Sequence, residues 1–184
     1  MKKGFTLLEL LIVIGILAIL ATAVTLVLNP AELLRQARDG NRLNDLRALN
    51  NAIGLFITAS SSLPGNIFNC TVGTAPYTGD LGTCATNVST VTSGAGWVGV
   101  NFSSMAGGSP LSRLPLDPLN NSTNYYIYRS NGITGSNDGT LFELNANMES
   151  VKYSETGGND VESNTKDGGD NNGVYEIGMI LTWI

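Results

Sequence analysis

Nineteen consecutive residues, Leu10 to Leu28, carry no charge, and the residue just before them is Glu9. An apolar helix of this length either spans a bilayer or lies buried in protein. In both settings a carboxylate at its edge is unfavourable unless it has a partner. Two simple readings of "MKKGFTLLELLIVIGILAILATAV" are available. Met1-Lys2-Lys3 is a positive n-region and "ILATA" (residues 19–23) offers small residues for secretory cleavage, although a secretory signal has a shorter apolar core. An uncut single-pass anchor is the other reading. Neither explains why Gly4 and Glu9 bracket the start of the run.

The rest of the chain narrows the function classes. A length of 184 residues suits one globular domain plus an extra element. The net charge of −5 gives no basic surface of the kind that binds nucleic acid. Histidine is absent, which removes the commonest general base and metal ligand. Cys70 and Cys84 have thirteen residues between them. In an exported chain such a pair in a Gly/Thr-rich loop is most simply a disulfide, worth about 3 kcal/mol in the chain-entropy view. Two unlinked thiols are the alternative.

The stretch "KKGFTLLELLIVIGILAILA" (residues 2–21) resembles the class III signal of type IV pilins and pseudopilins: basic residues, then G-F-T-L-x-E, then a long apolar run. The resemblance implies cleavage between Gly4 and Phe5 by a prepilin peptidase, with the apolar helix retained and the new Phe5 amine methylated. It further implies a single-pass monomer among inner-membrane lipids, which assembly machinery there draws into a helical homopolymer outside that membrane. Glu9 then has an assembly role, because the new amine lies one helical turn away in its own chain or is offered by a neighbour. A Glu9 that snorkels to the headgroups is the bland alternative.

After Asn29-Pro30, where Pro predicts a kink or local melting, the sequence becomes amphipathic. Leu33, Leu34, Ala37, Leu43, Leu46, Leu49, Ile53, Phe56 and Ile57 recur near helical spacing. Pairs such as Glu32–Arg35, Arg35–Asp39 and Arg42–Asp45 predict a solvated, charge-paired face. "SSSLPG" (residues 60–65) predicts the end of a helix that, from Phe5, is about 80 Å long. "GWVGVNF" (96–102), "YYIYR" (125–129), "TLFELNA" (140–146) and "VYEIGMILTWI" (174–184) read as strands, the last three separated by "SNGITGSNDG" and a long polar loop. The expected fold class is α+β: a long N-terminal α-helix packed against a small C-terminal antiparallel sheet. Its expected divisions are a leader over residues 1–4, an apolar helix over 5–29, an amphipathic helix over 30–60 and a Gly/Asn/Thr-rich head over 61–184.

Few motifs point to chemistry. "GAGWVG" (94–99) matches a dinucleotide-binding pattern by letters but has no strand–helix series around it. "SNTK" (163–166) lies in a turn-rich loop, away from any helix start. No nucleophile–base pair stands out, and the chain is not read as an enzyme. "LPLDPLNNSTNYYIY" (114–128) is similar, more loosely, to the stretch around a D-P pair in the major pseudopilins, and read physically it is a turn before a strand. Asp160, Asp167 and Asp170 sit in a Gly-rich loop whose hard oxygens suit calcium, and major pseudopilins hold calcium in a late loop of this kind. A solvated acidic loop is the other reading. Asn69, Asn87, Asn101, Asn120 and Asn121 begin Asn-x-Ser/Thr triplets of the type that accepts glycans. The function expected from these readings is a structural subunit of a type IV pilus-like filament. A major-type pseudopilin of a secretion system and an uncut membrane-anchored binding domain are the alternatives.

Overall fold

The computed structural model describes residues 4–60, 63, 65–72, 78–79, 82–131 and 139–183. Met1–Lys3 of the expected leader, half of the "SSSLPG" break and most of the "SNGITGSNDG" loop lie outside the described residues.

Two helices open the chain, α1 (Leu7–Leu28) and α2 (Pro30–Ser60). The residue between them, Asn29, closes α1 in the left-handed conformation at φ 39°, a geometry that asparagine tolerates better than most residues. Pro30 then starts α2, where a missing N–H and a fixed φ do no harm. The Asn29 carbonyl accepts Glu32 N–H at 3.0 Å. The proline therefore marks a change of helix, and both flanking segments stay helical.

A five-stranded sheet follows in the order β4-β1-β5-β6-β7, with β1 (Ile67–Cys70), β4 (Ala85–Thr86), β5 (Tyr126–Ser130), β6 (Phe142–Ala146) and β7 (Tyr175–Gly178). Its central pairs are antiparallel; only β1 and β4 run parallel. A separate two-residue ladder joins β2 (Thr78–Gly79) and β3 (Gly82–Thr83). The architecture is α+β and pilin-like: a long N-terminal apolar helix, a second helix and a mostly antiparallel sheet.

Side chains alternate across each strand, which divides the sheet into two faces. Tyr126, Tyr128, Phe142, Leu144 and Ala146 pack with Leu43, Leu46, Leu49, Ile53 and Phe56 of α2. Trp97, Val98, Val100, Phe102 and Leu114, from the connection between β4 and β5, complete this core. Phe56 and Phe102 meet edge to face at 6.1 Å, and Trp97 donates its indole N–H to the Pro115 carbonyl at 2.9 Å. The opposite face holds a smaller cluster of Cys70, Cys84, Tyr125 and Ile127, with Phe68, Val72 and Trp183 against it.

Three expectations need correction. "GWVGVNF" is a turn followed by a single 3-10 turn at Phe102–Ser104. Gly99 has φ +71°, and a Cβ on Gly96 would sit 2.1 Å from the Val91 carbonyl, so the backbone folds tightly where a strand would be extended. The last strand stops at Gly178, whose absent Cβ lets the Phe142 carbonyl approach. That carbonyl then accepts Met179 N–H at 2.9 Å and Ile180 N–H at 3.4 Å, which turns residues 179–183 out of the ladder. Asp39 and Arg42 of α2 are fully buried, so the predicted solvated charge face is solvated only in part.

Candidate functional site

The N-terminal segment is built by a capping box. Thr6, at the N-cap of α1, accepts Glu9 N–H at 3.2 Å on its Oγ1. In return, Glu9 Oε2 accepts the Thr6 N–H at 2.9 Å and the Thr6 hydroxyl at 2.8 Å. Two of the four amides that a helix start leaves unpaired are thereby satisfied. The arrangement holds the Glu9 carboxylate at the start of the helix, one turn from Phe5. Phe5 is 85% exposed, and a Cβ on Gly4 would meet no atom within 4 Å.

Every described side chain of α1 is exposed, including Leu7, Leu11, Ile14, Leu17, Leu20 and Leu28. Leu7–Thr25 is long and apolar enough to cross a membrane. Beyond Pro30 the exposure continues through Leu33 and Leu34, and burial begins at Asp39. So large an apolar surface left uncovered by its own chain is matched only by lipid or by other protein.

The head is tied to α2 by a buried ionic network. Arg42 gives Nε and Nη2 to the two oxygens of Asp117 at 2.6 and 2.9 Å, and Nη1 to Asp39 at 2.8 Å and Glu149 at 2.6 Å. Arg38 grips Glu149 with Nε at 2.9 Å and Nη2 at 2.6 Å. Asp39 also accepts the backbone N–H groups of Glu149 and Ser150. Burial opposes the Arg42 charge, but the hydrogen bonds and charge of Asp117, with Glu149 and Asp39, outweigh it and raise its pKa. The Arg38 hydrogen bonds hold Glu149 below the usual carboxylate range. Nearby, Asp45 accepts the Tyr126 hydroxyl at 2.8 Å in place of the expected Arg42. Sequence reasoning missed this network because its members are 75 and 111 residues apart. The Asp39–Arg42 spacing of three on α2 and the Asp117-Pro118 turn were its local signs.

Cys70 and Cys84 form a disulfide with Cα atoms 5.7 Å apart, pinning β1 beside the start of β4. Asn69 and Asn120 have their side-chain N–H groups engaged by the Trp97 and Thr71 carbonyls.

The three loop aspartates stand apart. Asp160 accepts Glu162 N–H, Ser163 N–H, Thr156 N–H and the Ser163 hydroxyl, and this last bond leads in lowering its pKa. Asp167 accepts Gly169 N–H and Glu176 N–H, while burial raises its pKa. Asp170 is exposed. Among the described residues no three His, Cys, Asp or Glu side chains gather as a metal-ligand group. Calcium takes about six to eight oxygens, and the described loop does not draw the three aspartates together into such a set. Adding calcium to the detergent-solubilised chain is expected to leave its melting temperature where equal magnesium leaves it. A calcium-specific gain near 2.7 kcal/mol at about a hundred times the dissociation constant would show that the loop rearranges into a site.

Residues 1–25 match the family model described as the prokaryotic N-terminal methylation motif. No curated protein and no solved structure matches the chain. The matched segment contains Gly4, Phe5 and the Thr6–Glu9 capping box, and it runs through the apolar stretch that leaves α1 uncovered. Residues 1–25 therefore carry the signal motif of type IV pilins and pseudopilins, and the chain fits a pilin-like or pseudopilin structural subunit with a membrane-anchored precursor.

Proposed function

We propose that this chain is the structural subunit of a type IV pilus-like extracellular filament, processed between Gly4 and Phe5 and polymerised through α1. The observation that carries the reading is the uncovered helix: uniformly apolar, uncharged after Glu9, and exposed at every described side chain. As a monomer this helix rests in the inner membrane; in the filament, copies of it bundle at the centre. Lipid tails are as apolar as these side chains, so on leaving lipid for a packed bundle the cohesion comes from close packing and polar pairing. Glu9 supplies that pairing to the Phe5 amine, and the heads face outward. A prepilin peptidase and the inner-membrane assembly machinery are the partners this requires. A major-type pseudopilin is the second reading, favoured by the Asp117-Pro118 turn that leads toward β5.

The test is intact mass of membrane-extracted protein, where loss of Met1–Gly4, with or without a methyl on Phe5, is expected. The fold makes no demand for glycine at position 4, because a side chain there meets open space among the described residues. Gly4→Leu is therefore expected to leave the head folded while abolishing processing, so that full-length precursor accumulates in the membrane without filaments. Mature-length chains from that variant would place the cut elsewhere. Long surface filaments containing this chain distinguish a pilus from a secretion pseudopilin.

A further inference from the structure

The sheet face turned away from α2 carries buried carboxyls that the filament reading does not use. Glu143 and Asn145 alternate with the core residues of β6, and across the ladder Glu176 of β7 stands opposite Asn145 while Gly178 stands opposite Glu143. Glu143 and Asn145 are 0% exposed and Glu176 is 1% exposed. Two segments cover them. From the C-terminal tail, Trp183 donates its N–H to Glu143 Oε2 at 3.0 Å. From the loop before β7, Asn171 donates its N–H to Glu176 Oε2 at 3.1 Å, and Glu176 N–H is held by Asp167 at 3.0 Å. A Cβ on Gly169 would lie 1.6 Å from Glu176 Oε2, so this loop closes directly onto the carboxyl.

Donors and acceptors in this pocket do not balance. Glu143 Oε1 takes the Asn145 Nδ2–H at 2.9 Å, which leaves Glu176 Oε1 and Asn145 Oδ1 buried with no donor. Orphaned buried acceptors are costly. One proton on Glu176 turns an acceptor into a donor and removes a charge from a site that already holds Glu143. A calcium-like cation needs about six oxygens, and among the described residues two in this pocket are uncommitted. Among the described residues no donor reaches these two oxygens. Arg129 of β5, in register with Glu143, donates Nη1 to the Trp183 carbonyl and lies 4.8 Å over its ring. Asp167 and Asp170 add negative charge from the loop, and Arg47 of α2, Lys166 and Asp160 line an open cavity together with Glu176.

We propose that Glu143 and Glu176 share one proton, and that this proton is a latch holding the loop 167–171 and the tail 179–183 over the sheet. When alkaline solution removes it, two adjacent buried anions repel, and the segments bound to them open. Burial first, then the neighbouring Glu143, pushes the Glu176 carboxyl up to about 8, against the lowering pull of Asn171 N–H. A carboxyl raised in the folded state contributes stability that is complete below its unfolded value and is lost as pH rises through the folded one. Glu162, raised to about 7 chiefly by burial, acts in the same direction on the whole head, so the test must be local.

Hydrogen exchange of the full chain in detergent, corrected for intrinsic rates, reads the two covers between pH 6 and 9.5. Protection of residues 167–171 and 179–183 is expected to fall about tenfold per pH unit above the midpoint, as one linked proton requires, while α2 and β5 keep theirs. Glu176→Gln is expected to abolish the pH dependence. Glu143→Gln, which removes the neighbouring charge, is expected to move the midpoint down. Protection in the wild type that does not change with pH, or the same fall in Glu176→Gln, overturns the latch. If Glu176→Gln does not fold, an unmoved midpoint in Glu143→Gln overturns it equally. Calcium that restores protection at pH 9 to its pH 6 level would assign the space to a cation and also overturn the proton.

Discussion

Arg42→Ala is expected to lower the stability of the head by about 3–5 kcal/mol, the usual result of leaving buried carboxylates without their cation. Arg42 is 0% exposed and satisfies oxygens of Asp117, Asp39 and Glu149 together. Its removal leaves Asp39 and Asp117, both buried, to repel one another. For a domain of this size the loss corresponds to a melting-temperature drop of about 6–20 °C. Arg42→Lys is expected to recover only part of it, because an ammonium cannot bond Asp117 in the paired geometry of a guanidinium. The sign of the pH dependence follows from Glu149. The Arg38 hydrogen bonds depress its pKa, so its contribution is present above the ordinary carboxylate range and is lost as pH falls through the depressed value. Thermal melts of the two variants decide the matter. A loss below about 1 kcal/mol for Arg42→Ala would mean that the network is relaxed by water and ties nothing down.

How much of this was legible in the sequence depended on distance along the chain. The apolar run and the change of pattern at Asn29-Pro30 are local, and the helices form where local chemistry places them. The strands around Tyr126, Phe142 and Tyr175 were visible because β-branched and aromatic residues cluster there. Only four residues make β1, and its strand character comes from pairing with β5 and from the Cys70–Cys84 bond. "GWVGVNF" has strand composition, but the close approach of Gly96 to Val91 bends it. Among charged residues the helical spacing that suggested Arg42–Asp45 held no information about Asp117 or Glu149, which reach Arg42 only through tertiary folding. Letters alone likewise grouped Asp160, Asp167 and Asp170, while the fold aims the first two at backbone amides and leaves the third in solvent.

Glu9→Ala is expected to yield protein that is processed and membrane-inserted but reduced in filament yield by about tenfold or more, since the Phe5 amine would enter an apolar bundle without its counter-charge. The capping box adds a second role that must be separated from the first. Glu9 Oε2 accepts both the N–H and the hydroxyl of Thr6, so the same carboxylate also secures the first turn of α1. Glu9→Gln separates the two. Its amide oxygen keeps an acceptor for Thr6, preserving the cap, while the charge is gone. If pairing with the amine drives assembly, Gln is expected to fail as badly as Ala. If the cap is what matters, Gln restores filaments and only Ala is defective. Counting filaments from strains with equal membrane levels of processed subunit gives the answer. Wild-type yield from Glu9→Ala would remove Glu9 from assembly altogether, and leave the carboxylate as a helix cap at the membrane surface.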